Sequence, residues 1–315
     1  CPIELTYTIH SKLNLNASTN ISDTAGNSGP AAYTSGTTHT VAIPTAPDAP
    51  TIGAATAGDG QASVAFTAPA NNGGSAITGY TVTSNPGGIT AGGNGFTTSP
   101  ITVTSLTNGT AYTFTVTATN SVGTSTTSGA SNSVTPKGDQ TITLANPGAQ
   151  NFGTAPTLSA AATSGLTVTF TSSTTGVCTI TSGGLLTFVT AGSCTINADQ
   201  AGNTAWNAAP TVSRTFTVNA VVPGAPTIGS ATAGEAQATV SFTAPASSGG
   251  AAITGYTATA APGGATGTGV GSPITVTGLT NGVAYTFTVT ATNTAGTGAA
   301  SAASNSVTPK AAQTI

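Results

Sequence analysis

Charged side chains are nearly absent from this chain. Only 3% of its 315 residues are Asp, Glu, Lys or Arg, where a soluble domain carries roughly 25%. Lys12, Lys137, Arg214 and Lys310 are its only fixed cations, all isolated, and the net charge is −3. A basic nucleic-acid footprint is thereby excluded, because phosphate contacts need clustered Lys and Arg. His10 and His39 are the only histidines, and neither has a neighbour that would make it a base or a ligand. The seven acids, Glu4, Asp23, Asp48, Asp59, Asp139, Asp199 and Glu235, are well separated. They form no calcium loop with acids at alternate positions. No catalytic residue, cofactor or metal is expected. Gly267-Thr268-Gly269-Val270-Gly271 has the glycines of a phosphate loop but neither its Lys nor its helix. No apolar run approaches the roughly 18–20 residues of a membrane-crossing helix. Methionine is missing even at position 1, so the chain reads as processed or as a piece, and a missing targeting segment carries no weight.

What the chain does have is repetition. Residues 47–142 recur at 223–315: Ala49-Pro50-Thr51-Ile52-Gly53 returns as Ala225-Pro226-Thr227-Ile228-Gly229, an offset of 176. After a three-residue deletion, Tyr112 to Asn120 returns as Tyr285 to Asn293, an offset of 173. Repetition of this length marks an array of domains. Within each copy, apolar and hydroxyl residues alternate. Tyr112, Phe114, Val116 and Ala118 form one face and Thr113, Thr115, Thr117 and Thr119 the other, with turn signals at Asn108-Gly109 and Asn120 to Gly123. So many β-branched residues argue against the disorder that 41 glycines and little charge would otherwise imply. Short strands between Gly-rich turns, with no sustained helical period, predict an all-β chain of tandem β-sandwiches in an extended array.

Residues 47–137 and 223–310 resemble fibronectin type III domains of the bacterial kind. The resemblance is carried by Ala62 to Pro69, by Gly73 to Val82, and by Ile101 to Tyr112, with their counterparts in the second copy. It implies that Phe66 and Phe242 take the place of a core Trp. Leu106 with Tyr112, and Leu279 with Tyr285, then close the sandwich corner. Residues 139–219 resemble a bacterial immunoglobulin-like repeat through Gly165 to Ser172, Gly176 to Ile180, Leu186 to Phe188, Ala191 to Ala198, Asp199 to Asn203 and Arg214 to Val218. Residues 1–46 resemble the back half of the same repeat, with Asp23-Thr24-Ala25-Gly26-Asn27 at offset 176 from Asp199-Gln200-Ala201-Gly202-Asn203. The expected domains are a partial immunoglobulin-like unit (1–46), fibronectin type III (47–137), immunoglobulin-like (138–220) and fibronectin type III (221–310). Residues 311–315 begin a further immunoglobulin-like unit.

Few side chains stand out beyond these patterns. Cys178 and Cys194 are spaced as if on neighbouring strands of one domain, and an extracellular setting implies a disulfide between them; two buried thiols are the alternative. Cys1 is left over, as a lipid-bearing first residue, a partner for another chain, or the remnant of a pair. Trp206 is either a sugar platform or a core residue covering a strand. Asn16, Asn20 and Asn108 head formal glycosylation tripeptides. Asp59 and Glu235 are equivalent turn residues. The Pro-rich runs at 44–50 and 221–226 read as semi-rigid, extended spacers. No Arg-Gly-Asp tripeptide occurs in the loops at 120–125 and 293–298.

These features point to a non-enzymatic structural protein of the bacterial cell surface: a fibre, filament or stalk whose uncharged Thr-rich face is indifferent to salt. Its expected partner is itself. Gln313, Thr314 and Ile315 repeat Gln140-Thr141-Ile142 and are a candidate donor strand for head-to-tail assembly by strand addition. Neighbouring repeats of one longer polypeptide are the competing arrangement. An adhesin, a glycan-binding appendage of a secreted enzyme, and a phage decoration protein are the other classes compatible with the sequence.

Overall fold

The computed structural model describes residues 43–311, which form two compact units divided between Gly138 and Asp139. Cys1, both histidines, Asn16, Asn20, most of the expected partial unit at 1–46, and Gln313 to Ile315 lie outside the described residues. No helix occurs among the described residues.

The first repeat is a two-sheet sandwich. Its strands are β1 (Thr51–Gly58), β2 (Gln61–Thr67), β3 (Ile77–Asn85), β4 (Thr90–Asn94), β5 (Ile101–Val103) and β6 (Thr113–Asn120). One sheet runs β1-β2-β5 and the other β4-β3-β6, all antiparallel. The period-2 pattern of β6 decides which side faces in: Phe114, Val116, Ala118 and Asn120 are buried, and the threonines between them are half-buried. Each large apolar side chain withdrawn from water this way contributes about 1.5–3 kcal/mol. Phe66 on β2 meets Tyr80 on β3 across the sandwich, ring centroids 4.7 Å apart, filling the expected core position. Burial raises the Tyr80 hydroxyl above its ordinary pKa. At the corner, Thr107 N–H donates to Tyr112 Oη at 3.1 Å.

The chain after β6 does not form a regular strand. It returns along β6 three residues for every two. The N–H groups of Ser125, Ser128, Ser131 and Val134 donate to the carbonyls of Ala118, Val116, Phe114 and Tyr112 at 2.8–2.9 Å. The β6 N–H groups that a two-residue ladder would pair with backbone carbonyls instead find serine hydroxyls. Ala118, Val116 and Phe114 donate to the Oγ atoms of Ser125, Ser128 and Ser131 at 3.0, 2.9 and 3.0 Å. Each hydroxyl in turn donates to the next residue's carbonyl. Asn132 then reaches β1, accepting from Ala55 N–H at 2.8 Å and donating to its carbonyl at 3.0 Å.

The second unit begins with the middle sandwich: β7 (Ile142–Leu144), β8 (Gln150–Asn151), β9 (Ala160–Ala162), β10 (Thr169–Ser172), β11 (Cys178–Ile180), β12 (Leu186–Phe188), β13 (Gly192–Asp199) and β14 (Val212–Asn219). One sheet runs β10-β13-β14-β8, its last pair parallel. Facing it, the pair β7-β9 joins the pair β11-β12 through a bridge between Thr157 and Leu185.

The last sandwich repeats the first with β15 (Thr227–Ala233), β16 (Gln237–Thr243), β17 (Gly255–Ala261), β18 (Thr266–Gly269), β19 (Ile274–Thr277), β20 (Thr286–Asn293) and β21 (Gly296–Thr297). Its Phe242–Tyr256 contact, tyrosine corner and Ser301/Ser304/Asn305 ladder match the first copy. Gly298 replaces Ser125 and supplies only the backbone donor.

Two positive-φ turn positions differ between the copies, Ser105 (φ +62°) against Gly278 (φ +75°) and the pair at the first hairpin. Asp59-Gly60 turns β1 into β2 with Gly60 at φ +60°, and the equivalent Glu235-Ala236 forces Ala236 to φ +48°. Both residues keep the same amide bond, to Asn108 and Asn281 respectively. A Cβ in the left-handed region costs about 1–2 kcal/mol, partly offset by the lower unfolded-state entropy of Ala. Ala236→Gly is therefore expected to stabilise the last sandwich by about 0.5–1 kcal/mol in urea denaturation. An unchanged or lower midpoint would show that the strain is relieved elsewhere.

Candidate functional site

Among the described residues no three His, Cys, Asp or Glu side chains gather as metal ligands. Every buried side-chain nitrogen and oxygen there has a partner. What the described chain concentrates instead is a set of polar ties at the ends of its sandwiches.

Asn120, at the end of β6 and 4% exposed, is the centre of one. Its Nδ2 donates to the carbonyls of Thr45 and Asn72 at 2.7 and 2.9 Å, and its Oδ1 accepts from Val122 and Gly123 N–H at 2.9 and 3.1 Å. Thr45 and Asp48 N–H donate to the carbonyls of Gly73 and Asn71. Asn293 repeats the tie, donating to Val221 and Ser248 and accepting from Ala295, each at 2.8 Å. These bonds correct the reading of the Pro-rich runs as spacers. Both runs are stitched into the sandwich that follows them, because their carbonyls and amides find partners in its loops.

In the second unit no spacer remains at all. Strand β14 ends at Asn219, and Val221 N–H already bonds Gly249 O at 2.9 Å. Across this joint Ala191 N–H donates to Gly250 O at 2.8 Å. Gly250, at φ +84°, lies beneath the ring of Phe152; a Cβ added there would come within 2.6 Å of Phe152 Cγ. Phe152 is itself tied by its N–H to Asn219 O at 2.9 Å.

Cys178 and Cys194 form the expected disulfide, with Cα atoms 5.8 Å apart. It joins β11 to β13, which belong to opposite sheets, so it staples the sandwich through its core rather than linking two paired strands. Both cysteines are fully buried. Trp206 is half-buried in a loop, outside the buried core. Its N–H donates to Asn203 Oδ1, and its carbonyl accepts from Asn203 N–H, both at 3.0 Å. Asn108 commits its amide to the Asp59-Gly60 turn. Gln140, 3% exposed, donates to Gln200 Oε1 and Asn207 O at 2.6 Å and accepts from Ser164, while Ile142 enters the core.

These sandwiches have known relatives. The model of the fibronectin type III domain matches residues 46–134 and 223–307, together more than half of the chain. The chain belongs to the fibronectin type III family. No curated protein matches it. Among solved structures, fibronectin domains FN1-FN3 of chicken CNTN1 align over 84% of this chain and 99% of their own, at 16% identity and a TM-score of 0.27. Titin domains A168-A170 align over 83% and 97%, at 16% identity and a TM-score of 0.30. Titin kinase with its flanking domains matches at 26% identity over 29% of this chain and 18% of its own, with a TM-score of 0.26. Tandem fibronectin domains are modules of structural or adhesive type, common in extracellular and surface proteins, and the disulfide fits an oxidising compartment. No helix among the described residues is long and apolar enough to cross a membrane.

The serine ladder and the asparagine ties escaped the sequence reading. The ladder has a signal, Ser-x-x-Ser-x-x-Ser-Asn followed by Val two residues on, at 125–134. Its period of three matches neither strand nor helix, and it reads as loop.

Proposed function

We propose that the chain is a non-enzymatic, load-bearing segment of a secreted bacterial surface fibre or stalk. One observation carries this: the immunoglobulin-like and fibronectin sandwiches of the second unit join directly, by Ala191 to Gly250 and Phe152 over Gly250, with no linker between them. Such a joint passes force from one sandwich to the next through packed backbone rather than through slack chain. An uncharged surface of hydroxyls leaves little for salt to screen.

Assembly follows from the same parts. Gln140-Thr141-Ile142 anchors the middle sandwich, and Gln313-Thr314-Ile315 carries the same anchor at an offset of 173. We assign it to an immunoglobulin-like sandwich of a second copy, joined head to tail by strand addition. The test is immunogold labelling with an antibody against residues 43–311, on cells making the full chain or one ending at Lys310. Label along surface filaments, lost with the shortened chain, is the expected result. Cytoplasmic label from the full chain would sink the surface reading. Filaments unaffected by the shortening would sink strand donation alone.

A further inference from the structure

Each fibronectin domain takes the chain in at one pole and releases it at the other. In the first, Thr45 and Asp48 N–H donate to the carbonyls of Gly73 and Asn71, beside Asn120 at the far end of β6. The exit is at the near end, where Gly109 N–H, in the loop that leads into β6, donates to Pro136 O at 2.9 Å. β1 runs from the entry to the exit, because the Asp59-Gly60 turn that closes it is held by Asn108. The chain returning along β6 also starts at the entry, with Ser125 beside Ala118, and reaches the exit with Val134 beside Tyr112. β1 and the return chain therefore point the same way. Tension between entry and exit draws one back and the other forward, so they must slide past each other for the sandwich to open.

One side chain joins the two across that surface. Asn132 Oδ1 accepts from Ala55 N–H at 2.8 Å, and its Nδ2 donates to Ala55 O at 3.0 Å. Among the described residues no other hydrogen bond links β1 to the return chain. In the last domain Asn305 holds Ala231 by the same two bonds, at 2.8 and 3.0 Å. Lys310 N–H adds a longer one to Gly234 O, just beyond β15, at 3.3 Å. The middle sandwich meets the same load with backbone. Its early strand β8 lies parallel to the last strand β14, Gln150 beside Val218 and Asn151 beside Asn219. Phe152 N–H extends that pairing to Asn219 O at 2.9 Å, and Arg214 Nε ties β14 to β7 through Leu144 O at 2.9 Å.

We infer that Asn132 and Asn305 are mechanical bolts. Each sets the tension at which its fibronectin domain opens, so that these domains yield before the middle sandwich and spare it. The inference rests on the load-bearing reading and adds to it an order of failure. Both bonds of a bolt sit on one side chain and one partner residue, so they share the load and break together. The middle sandwich must lose its backbone pairing and the Arg214 tie as well. Opening under force is governed by the unfolding rate, and interactions already lost at the barrier act on that rate in full. Two net hydrogen bonds of ordinary strength correspond to about tenfold or more in rate.

Single-molecule stretching of the full chain by its two ends, at constant force and without reductant, tests this. The middle step is known by its length: it is shortened by the 16 residues that the disulfide closes, and it grows when reductant is added. The two longer fibronectin steps should precede it. Asn132→Ala should shorten the lifetime before one long step about tenfold, and Asn132→Ala with Asn305→Ala should shorten both. Ser84→Ala is the control. Ser84 is buried on the β3–β4 hairpin, accepts from Ile89 N–H and donates to Pro86 O, so its loss removes as many hydrogen bonds away from the sliding surface. The last domain carries Ala260 at this position. That variant should lower the urea midpoint but leave the lifetime within about twofold. Equal shortening by Ser84→Ala and Asn132→Ala would overturn the inference, as would unchanged lifetimes in the asparagine variants. Should a long step vanish because Asn132→Ala fails to fold, the unsubstituted chain still decides: long steps first uphold the bolts, and a middle step that comes first overturns them. None of these results depends on where immunogold places the chain.

Discussion

Asn120→Ala is expected to destabilise the first fibronectin domain by about 2–4 kcal/mol, the sum of four modest net hydrogen bonds at about 0.5–1.5 kcal/mol each, part of it recovered by water at the domain end. The side chain is 4% exposed and uses both lone pairs and both hydrogens. Its loss frees the Thr45 carbonyl, the Asn72 carbonyl and two loop amides at once. Asn120→Asp separates this account from simple packing. It keeps the shape but replaces the NH2 donor with an acceptor facing two carbonyls, so it should be at least as damaging as Ala at neutral pH. Urea denaturation decides it, with Asn293→Ala producing the parallel loss in the last domain. A loss below about 0.5 kcal/mol would mean that water replaces the amide at no cost, as at an ordinary surface position.

Reducing the Cys178–Cys194 bond is expected to cost the middle sandwich about 3 kcal/mol, the chain-entropy value for a loop of this size. The bond spans 16 residues. For a domain of this length the melting point should fall by roughly 12–24 °C. The fibronectin domains have no cysteine among their residues, so their transitions serve as controls in the same calorimetric trace. A reduced chain whose middle transition stays in place would show that packing of the two fully buried sulfurs, and not the covalent tie, holds the sheets together.

The sandwiches themselves were legible because their strands obey a single rule, apolar in and threonine out, and because the sequence states it twice. Cys178 and Cys194 were legible as a pair, although their spacing does not reveal that they face each other across the sandwich. The ties were not legible. Asn120 reads as a turn residue, and nothing in its neighbours tells that Thr45, 75 residues away, supplies its partner. Gly250 reads as one more flexible glycine until Phe152 is placed over it. The Pro-rich runs read as spacers because proline marks extended chain, whereas their fate is set by carbonyls and amides in the loop beyond β2. Period-2 and period-3.6 patterns find elements; polar partners distant in sequence are visible only in space.

The serine ladder has a consequence for chains packed side by side. Strands β6 and β20 are the same eight residues, Thr-Phe-Thr-Val-Thr-Ala-Thr-Asn. Uncharged, β-branched and repeated, they are the kind of segment that zips into shared sheets when an edge lies open. Here the outer edge is filled by a chain whose pitch of three residues to two no incoming strand can match, and Asn132 and Asn305 each hold one residue of the first strand of the opposite sheet, Ala55 and Ala231, by its N–H and carbonyl. A material made of many such domains can thus be dense without its units fusing along β6 or β20, because that edge already holds a partner of the wrong period.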